Sequence, residues 1–198
     1  MTENMKSKLL CVACDVIAQR GVEGMRTRHV AEAAGVSTAL LHYHYGSKRD
    51  LIFASFGYSD DLAIATIRSR VDTHANGREQ LEQLLLAWAS DDDVMQRHWI
   101  VWTEIWRWSL FEPELRGMVA VRHTRFIESI ARCIAQGKDD GSIADDVNIA
   151  DASQRLAACS DSFGDQVTIG LKSPGEARVA LLAAMDHECP RVRPRAGS

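Results

Sequence analysis

Four of the five tryptophans of this 198-residue chain lie within residues 98–111. On an α-helix, Trp99, Trp102 and Trp106 would fall within about 60° of one another and form one aromatic stripe. The face of an indole ring attracts cations, and a carboxylate among apolar groups requires a positive partner. With Glu104 on the same helix, the stripe predicts a binding site for an amine or a quaternary ammonium ion.

Two acidic residues further along the chain, Asp161 and Asp165, are candidates to complete this ligand site from a facing helix. The alternative is plain core packing, because tryptophan fills space well and Glu104 can pair with Arg107 on its own helix. The sequence leaves both interpretations open.

A second group of polar and aromatic side chains surrounds a short Ala-Gly-Val-Ser turn at residues 34–37. Two short helices joined by a tight turn that contains glycine are typical of a helix-turn-helix motif, whose second helix enters the DNA major groove. That helix would present to DNA the side chains of Thr38, Ala39, His42, Tyr43 and His44. Thr27, Ser37 and Lys48 lie at predicted helix N-termini, where backbone N–H groups and side chains commonly hold phosphate.

The elements that position both groups are helices, since apolar residues recur at helical spacing along nearly the whole chain. The predicted fold is therefore all-α. We expect helices over residues 5–20, 28–34, 38–45, 48–73, 78–90, 94–110, 113–137, 146–171 and 174–188. The candidate N-cap residues are Thr27, Ser37, Ser47 and Ser173.

Charge is divided unevenly along the chain, whose total of −4 by itself argues against a nucleic-acid partner. Residues 1–50 hold seven basic and five acidic side chains, and the rest of the chain holds 16 and 22. A small basic DNA reader joined to a larger acidic sensor would give this pattern. We predict a DNA-binding domain over 1–50, a ligand-sensing and dimerisation domain over 51–190 linked by helix 48–73, and a flexible tail over 191–198.

Composition argues against several other classes of protein. Hydrophobic residues make up 46% and charged residues 25% of the chain, which are ordinary values for a globular protein. No apolar run approaches the length of a transmembrane helix. Five cysteines, an odd number spread along the sequence, favour reduced thiols over a disulfide framework. Since the N-terminus lacks a signal-peptide pattern, we expect a cytoplasmic protein without a membrane partner.

The run TRHVAEAAGVSTALLHYHYGSKRDLI, residues 27–52, resembles the signature of the TetR (tetracycline-repressor) family of transcriptional regulators. The similarity covers about residues 5–55. It implies phosphate contacts from Thr27, Ser37, Tyr43 and Lys48, and base contacts from Arg28, Thr38, Ala39, His42 and His44. The sequence departs from the family at His42, where a tyrosine or similar aromatic residue is usual, and at Tyr45, where phenylalanine is usual.

The C-terminal half resembles, more weakly, the regulatory domain of TetR-type repressors like the choline-responsive betaine-gene repressor. The similar parts are the tryptophan-containing helix followed by Phe-Glu-Pro-Glu-Leu-Arg, the acid-rich step near 139–146, and a last helix pair joined at Lys172-Ser173-Pro174. The resemblance implies a homodimer that pairs through its last two long helices, a pseudo-palindromic operator, and a small-molecule effector that releases the repressor.

Three other functions are alternatives to a DNA-binding regulator. An enzyme is disfavoured because the chain has no GxSxG, HExxH, Walker or GxGxxG arrangement, so neither catalytic residues nor a cofactor are predicted. A metal sensor would use His98, His123 or the cysteines, but their spacings give no recognisable metal site. A helical ligand-binding protein without DNA binding would fail to retard promoter fragments from its own gene neighbourhood.

Overall fold

A computed structural model describes residues 3–191 of the chain. This range folds into nine α-helices and contains no strand, which confirms the predicted all-α class. The helices are α1 (Glu3–Gly24), α2 (Thr27–Ala34), α3 (Thr38–Tyr45), α4 (Lys48–Arg68), α5 (Gly77–Trp88), α6 (Asp93–Trp108), α7 (Pro113–Asp139), α8 (Ile149–Thr168) and α9 (Pro174–Glu188). Apart from Arg191, the predicted tail 191–198 lies outside the described residues. None of the helices described is long and apolar enough to cross a membrane.

Most observed helix ends lie within a few residues of the predicted ones, and the largest difference is the end of α4. This helix stops at Arg68 rather than at residue 73. The Ser69 hydroxyl donates to the Thr66 carbonyl, and the Asp72 N–H donates to the side chain of Gln83 at 2.7 Å. These two bonds turn the chain towards the start of α5.

Side-chain caps begin the helices at three of the four predicted positions. Ser37, Ser47 and Ser173 each accept a bond from the backbone N–H three residues further on, at 3.1 to 3.2 Å. Thr27 was wrongly predicted as a cap, because it is itself the first residue of α2. The N-cap residue is Arg26, whose extended backbone starts the helix without a side-chain cap bond.

Helix α1 is interrupted at Gly21, whose φ of 67° lies in the left-handed region that favours glycine. The Met25 N–H then donates to the Gly21 carbonyl at 3.1 Å and closes one further turn. We call residues 22–25 the coupling turn. It leads directly to Arg26 and the start of α2.

Contacts divide the chain into two compact units, of which unit 1 combines Met1–Ala65 with Asp93–Ala120. Within it α1 packs on α6 and α2, and α2 packs on α3. Unit 2 combines Thr66–Asp92 with Val121–Ser198, and its helices α5, α8 and α9 pack on one another. These units differ from the predicted boundary at residue 50 because α6 packs on α1. The predicted division of function at that boundary stays a prediction.

The start of α5 in unit 2 lies against the backbone of α7. A Cβ atom at Gly77 would overlap the backbone of Gly137 and lie 2.6 Å from the Cys133 carbonyl oxygen. The Gly77 N–H donates to the Asp140 carboxylate at 2.7 Å. Only glycine fits at this crossing, which places the two backbones in direct contact.

A buried arginine follows Gly77 and ties α5 to the end of α9. Arg78 is 2% exposed, pairs with the carboxylate of Asp186 and donates to the carbonyl oxygen of Cys189. A buried charge of this kind is stable only while its partners stay in place. Sequence reasoning missed it, because an arginine on an amphipathic helix normally faces solvent.

Candidate nucleic-acid interface and ligand site

Helix α3 presents the predicted DNA-reading side chains on its outer side. Leu41 is fully buried and holds the helix to the core of unit 1. Tyr43 is 83% exposed. Thr38, Ala39 and His42 are also exposed, and His44 is half-buried. The helix therefore buries one side and leaves the predicted contact residues available to DNA.

The three aromatic residues of this surface differ in their local contacts. His42 Nδ1 lies 3.3 Å from the Gly46 carbonyl oxygen, at the C-terminal end of α3. The rings of Tyr43 and His44 pack edge to face with centroids 4.9 Å apart. The departure from the family pattern at His42 thus places an imidazole against the end of its own helix, while Tyr43 projects furthest into solvent.

The three side chains predicted to hold phosphate at helix starts do lie at helix starts. Thr27 and Lys48 are the first residues of α2 and α4, and Ser37 is the N-cap of α3. The Lys48 ammonium donates to the Glu23 carbonyl in the coupling turn at 3.2 Å. Partial burial, together with the nearby charge of Arg26, lowers the pKa of Lys48.

Three arginines surround the start of α2. Partial burial and the charges of Arg20, Arg28 and Arg26 lower the pKa of His29, which is therefore neutral at pH 7. Of these three arginines, only Arg28 was predicted from the sequence to contact DNA. Arg20 and Arg26 add positive charge at this end of unit 1, where a phosphate backbone would be attracted.

The predicted tryptophan stripe forms an aromatic cluster within unit 1. The Trp102 ring centroid lies 5.6 Å from that of Trp106 and 5.7 Å from that of Phe56. Trp99 and Trp102 are buried, whereas Trp106 is 45% exposed. Burial of two of the rings is compatible with core packing, and the exposed part of Trp106 is accessible to a ligand.

A buried histidine extends this aromatic cluster. His98 is 1% exposed, and its ring centroid lies 6.2 Å from that of Trp102. Its Nδ1 lies 3.4 Å from the Ser59 hydroxyl of α4. The cluster thus combines indole faces with a polar pair inside unit 1.

Glu104 and Arg107 do not pair with each other, which was one of the two alternatives. The Glu104 carboxylate accepts a bond from the Val22 N–H at 2.8 Å. Arg107 instead pairs with the carboxylate of Glu23 at 3.1 Å. Both side chains of α6 therefore contact the coupling turn, and the carboxylate predicted to face a ligand is already hydrogen-bonded to α1.

The other two predicted acidic ligands, Asp161 and Asp165, lie on α8 in unit 2. Burial and the neighbouring Asp165 raise the pKa of Asp161 to about 7. His123 Nδ1 lies 3.4 Å from an Asp161 carboxylate oxygen, and burial lowers the pKa of that imidazole. At neutral pH this group of side chains therefore holds less charge than its residue types suggest.

An aromatic pair lies one helical turn from His123 along α7. The rings of Trp88 and Phe126 pack with centroids 4.5 Å apart. Unit 2 therefore has its own aromatic and acidic side chains, which the sequence could not associate because Trp88 lies outside the tryptophan-rich segment.

All five cysteines are free thiols. Burial raises the pKa of Cys14 to about 12, so this thiol stays protonated and unreactive at neutral pH. Across the described residues 3–191, no group of three or more histidine, cysteine, aspartate or glutamate side chains is arranged to hold a metal ion.

Comparison with known protein families accounts for most of the chain. Residues 9–55 match the family model of bacterial regulatory proteins of the tetR family. Residues 77–188 match the model of the C-terminal domain of BetI-type transcriptional repressors. The chain belongs to the TetR family, with a BetI-type C-terminal domain. Its helix-turn-helix is formed by α2 and α3.

Curated relatives of this TetR protein are transcriptional regulators. The chain is 24% identical over 197 residues to the HTH-type transcriptional regulator BetI of Burkholderia thailandensis, a match that covers 99% of this chain and 97% of that protein. It is 28% identical over 131 residues to BetI of Paraburkholderia phymatum, covering 66% and 67% of the two chains. The TetR protein is accordingly a ligand-responsive transcriptional regulator, and regulators of its family bind operator DNA and typically dimerise.

Solved structures have the same fold. A TetR-family transcriptional regulator from Rhodococcus sp. matches with a TM-score of 0.84 and 27% identity over 94% of this chain and 99% of that one. A transcriptional regulator from Saccharomonospora viridis, crystallised in complex with choline, matches with a TM-score of 0.86 and 26% identity over 95% and 98%. The second structure shows that a similar protein binds a quaternary ammonium compound.

Proposed function

We propose that this TetR protein is a homodimeric repressor that binds a pseudo-palindromic operator and is released by a small organic cation. The observation that carries the choice of ligand is the choline complex of the S. viridis regulator, which resembles the chain over nearly its whole length. The aromatic and acidic side chains described above are the groups that a quaternary ammonium ion would contact.

The DNA-binding part of the proposal rests on the exposure and placement of the side chains around α3. Thr27, Ser37, Tyr43 and Lys48 would hold phosphates and fix the register of the protein on the duplex. Base edges would be contacted by Arg28, Thr38, Ala39, His42 and His44, with arginine and histidine as the main donors.

Substitutions at the two kinds of contact test this assignment. Lys48→Ala is expected to weaken binding about equally on operator and random duplexes and to reduce the salt dependence, whereas Arg28→Ala or His44→Ala should change base preference at defined operator positions. The measurement is fluorescence anisotropy with labelled duplexes at several salt concentrations. Equal losses on operator and random DNA for all three variants would contradict the division.

Exposed apolar side chains at the last two helices support the homodimer. Val179 on α9 is 70% exposed, and Ile169 and Leu171, which connect α8 to α9, are similarly exposed. Burial of such residues against a second copy would remove apolar surface from water. Val179→Asp is expected to shift the protein towards monomer in sedimentation velocity, while Val121→Asp, at an exposed valine of α7, should leave the oligomeric state unchanged.

The electrostatic part of effector binding is assigned to Asp161 in unit 2. Its raised pKa means that burying a negative charge there is costly, and a bound cation would offset that cost. The aromatic contacts within the same unit are offered by the Trp88 and Phe126 pair. Trp106 with its neighbours in unit 1 is a separate candidate site, without Asp161. Glu104 is left out because its carboxylate already binds α1.

Choline affinity should depend on pH through Asp161. Only the ionised carboxylate attracts the cation, so affinity rises as the pH rises through about 7, by about tenfold between pH 6 and pH 8. Isothermal titration calorimetry with choline measures this directly. Asp161→Asn should weaken binding and remove the pH dependence, while Asp151→Asn, at an exposed position of the same helix, should keep both. An affinity for choline that is constant across this range would exclude Asp161 from the site.

The two aromatic candidates are separated by conservative variants. A cation held over a desolvated indole gains about 2 kcal/mol, so loss of the right tryptophan should weaken choline binding by about thirtyfold. Trp106→Leu and Trp88→Leu are compared by calorimetry, with thermal unfolding as the check on folding. If neither variant changes choline affinity, neither Trp106 nor Trp88 contacts the bound cation.

A further inference from the structure

Three polar side chains of α6 contact α1, and two of them hold the coupling turn. Arg97 pairs with Asp15 at 2.9 Å, near the middle of α1. About two and three turns further along the same helix face, Glu104 and Arg107 contact the coupling turn instead. The Glu104 contact joins residues that are 82 positions apart in the sequence.

The break at Gly21 explains why a side chain is needed at Val22. The left-handed backbone of Gly21 interrupts α1, and the turn that follows has a helix start of its own, with N–H groups that need an acceptor. The Glu104 carboxylate is this acceptor, so it caps the coupling turn from another helix. The approach is close, because a Cβ atom at Gly21 would lie 2.9 Å from the carboxylate oxygen.

The residue after Val22 connects the coupling turn to the candidate DNA surface. The carbonyl oxygen of Glu23 accepts a bond from the Lys48 ammonium at 3.2 Å, and the side chain of Glu23 pairs with Arg107. The carboxylate of Glu104 and the ammonium of Lys48 are therefore bonded to consecutive residues of one turn. Movement of Val22 would move the acceptor of Lys48 with it.

We propose that Glu104 is the positioning residue for the phosphate anchor Lys48. The carboxylate fixes Val22, the turn then holds the Glu23 carbonyl, and this carbonyl fixes the lysine side chain at the start of α4. The inference rests on the proposed role of Lys48 as a phosphate contact. Because Glu104 lies on the same helix as the tryptophan stripe, it also gives α6 a direct connection to a DNA contact.

The Lys48 ammonium has two partners in this proposal, the Glu23 carbonyl and a DNA phosphate. In the free protein its ammonium is bonded to the Glu23 carbonyl, which holds the amine near the surface at the start of α4. An ammonium group has three donors, so a phosphate can bind the second or third without breaking this bond. Loss of the Glu104 contact would leave the lysine with a mobile acceptor, and its contribution to DNA binding would fall.

A double-mutant cycle on DNA binding tests the inference. The probe is a duplex selected from a random library by the native protein, and the readout is the dissociation constant at several salt concentrations. Lys48→Ala is expected to weaken binding on the order of tenfold and to lower the salt slope by about one. Glu104→Ala should lose most of the same affinity and slope, and the double variant should be no weaker than Lys48→Ala alone.

Two variants separate positioning from general destabilisation. Arg97→Ala breaks the other polar contact between α6 and α1, away from the coupling turn, and is expected to keep the native salt slope. Glu104→Gln keeps an acceptor for the Val22 N–H and should retain part of the affinity. If circular dichroism shows that Glu104→Ala does not fold, the cycle is run with Glu104→Gln. Its smaller loss of DNA affinity must then be absent when Lys48 is already alanine.

The outcomes are distinguishable. If Lys48→Ala leaves the affinity and the slope unchanged, the phosphate assignment in the proposed function is wrong and the positioning role is overturned with it. If Lys48→Ala has its expected effect but the losses in the double variant add, the proposed function stands and Glu104 does not act through Lys48. An effect of Arg97→Ala equal to that of Glu104→Ala would also overturn the inference.

Discussion

Two helix starts, one in each unit, are capped by carboxylates from distant parts of the chain. In unit 2 the Gly77 N–H at the start of α5 donates to Asp140 at 2.7 Å, and in unit 1 the Val22 N–H donates to Glu104 at 2.8 Å. The bonds are alike in chemistry and length. Their surroundings differ, because α5 also begins in backbone contact with Gly137 and carries the buried Arg78.

The difference shows that the same kind of cap can stabilise the fold at one helix start and position a DNA contact at another. The start of α5 cannot move without separating two backbones and exposing a buried charge, so its cap is one part of a rigid joint. The coupling turn is anchored in the core by Val22 and Met25, but its polar contacts are single bonds to Glu104 and Lys48 and an exposed ion pair of Glu23, which contributes little to stability. A substitution at the start of α5 should therefore reduce stability, and one that breaks the Glu104 bond to the coupling turn should mainly reduce DNA binding.

The largest effect is expected from Arg78→Ala. Removing the buried guanidinium leaves a cavity and takes the partner from the Cys189 carbonyl, so we expect the free energy of unfolding to fall by about 2–5 kcal/mol. Urea denaturation followed by circular dichroism measures the loss. Arg155→Ala is the control, since Arg155 binds Glu188 at the end of the same helix but its own side chain is 56% exposed rather than 3%, and it should cost about 1 kcal/mol. Similar losses for the two variants would remove the contrast between buried and exposed contacts.

A smaller loss should follow Gly77→Ala. The added methyl group overlaps the backbone of Gly137, and such overpacking costs about 1–3 kcal/mol or somewhat more where backbones must separate. Gly117→Ala, in α7 with open space around the added carbon, should instead stabilise the protein by about 0.5–1 kcal/mol. Urea denaturation of the pair checks both signs. A neutral Gly77→Ala would show that the joint in unit 2 is not rigid.

The smallest loss of stability, with the clearest loss of function, is expected from Gly21→Ala. At φ 67° and ψ 167°, a combination nearly restricted to glycine, an alanine costs about 1–3 kcal/mol, and the new methyl group displaces the Glu104 carboxylate. Gly141→Ala also introduces a side chain at a positive φ, with open space around it, and should reduce stability without changing DNA binding. DNA titrations at several salt concentrations, beside urea denaturation, compare the two. If both variants bind DNA alike, the coupling turn does not affect the DNA surface.

Local patterns in the sequence were enough to predict the helices and the helix-turn-helix. Caps at Ser37, Ser47 and Ser173, together with glycine after α2, act over three or four residues and can be read without tertiary structure. The aromatic stripe on α6 follows from helical spacing alone. The exposed side of α3 could also be predicted, since helical spacing places Leu41 on one side of the helix and the polar residues on the other.

Contacts between distant segments could not be predicted in the same way. Glu104 was assigned to a ligand because nothing in its neighbourhood shows that a helix break at Gly21, 83 positions earlier, leaves an N–H group for it. Gly77 and Arg78 look like an ordinary helix start until Gly137 and Asp186 are placed beside them. The residue types were visible in these cases, but their partners depend on how the helices cross.

The discontinuity of unit 1 sets the order in which the molecule can fold. The two parts of unit 1, residues 1–65 and 93–120, are separated in the sequence by a segment that belongs to unit 2. On the ribosome, the nascent helix-turn-helix must wait for α6 before Val22 acquires its acceptor. The DNA-reading segment therefore reaches its final form only after more than half of the chain has been synthesised, although it is translated first. A fragment that ends after α4 would carry every predicted DNA contact and lack the side chain that orders the turn beneath them.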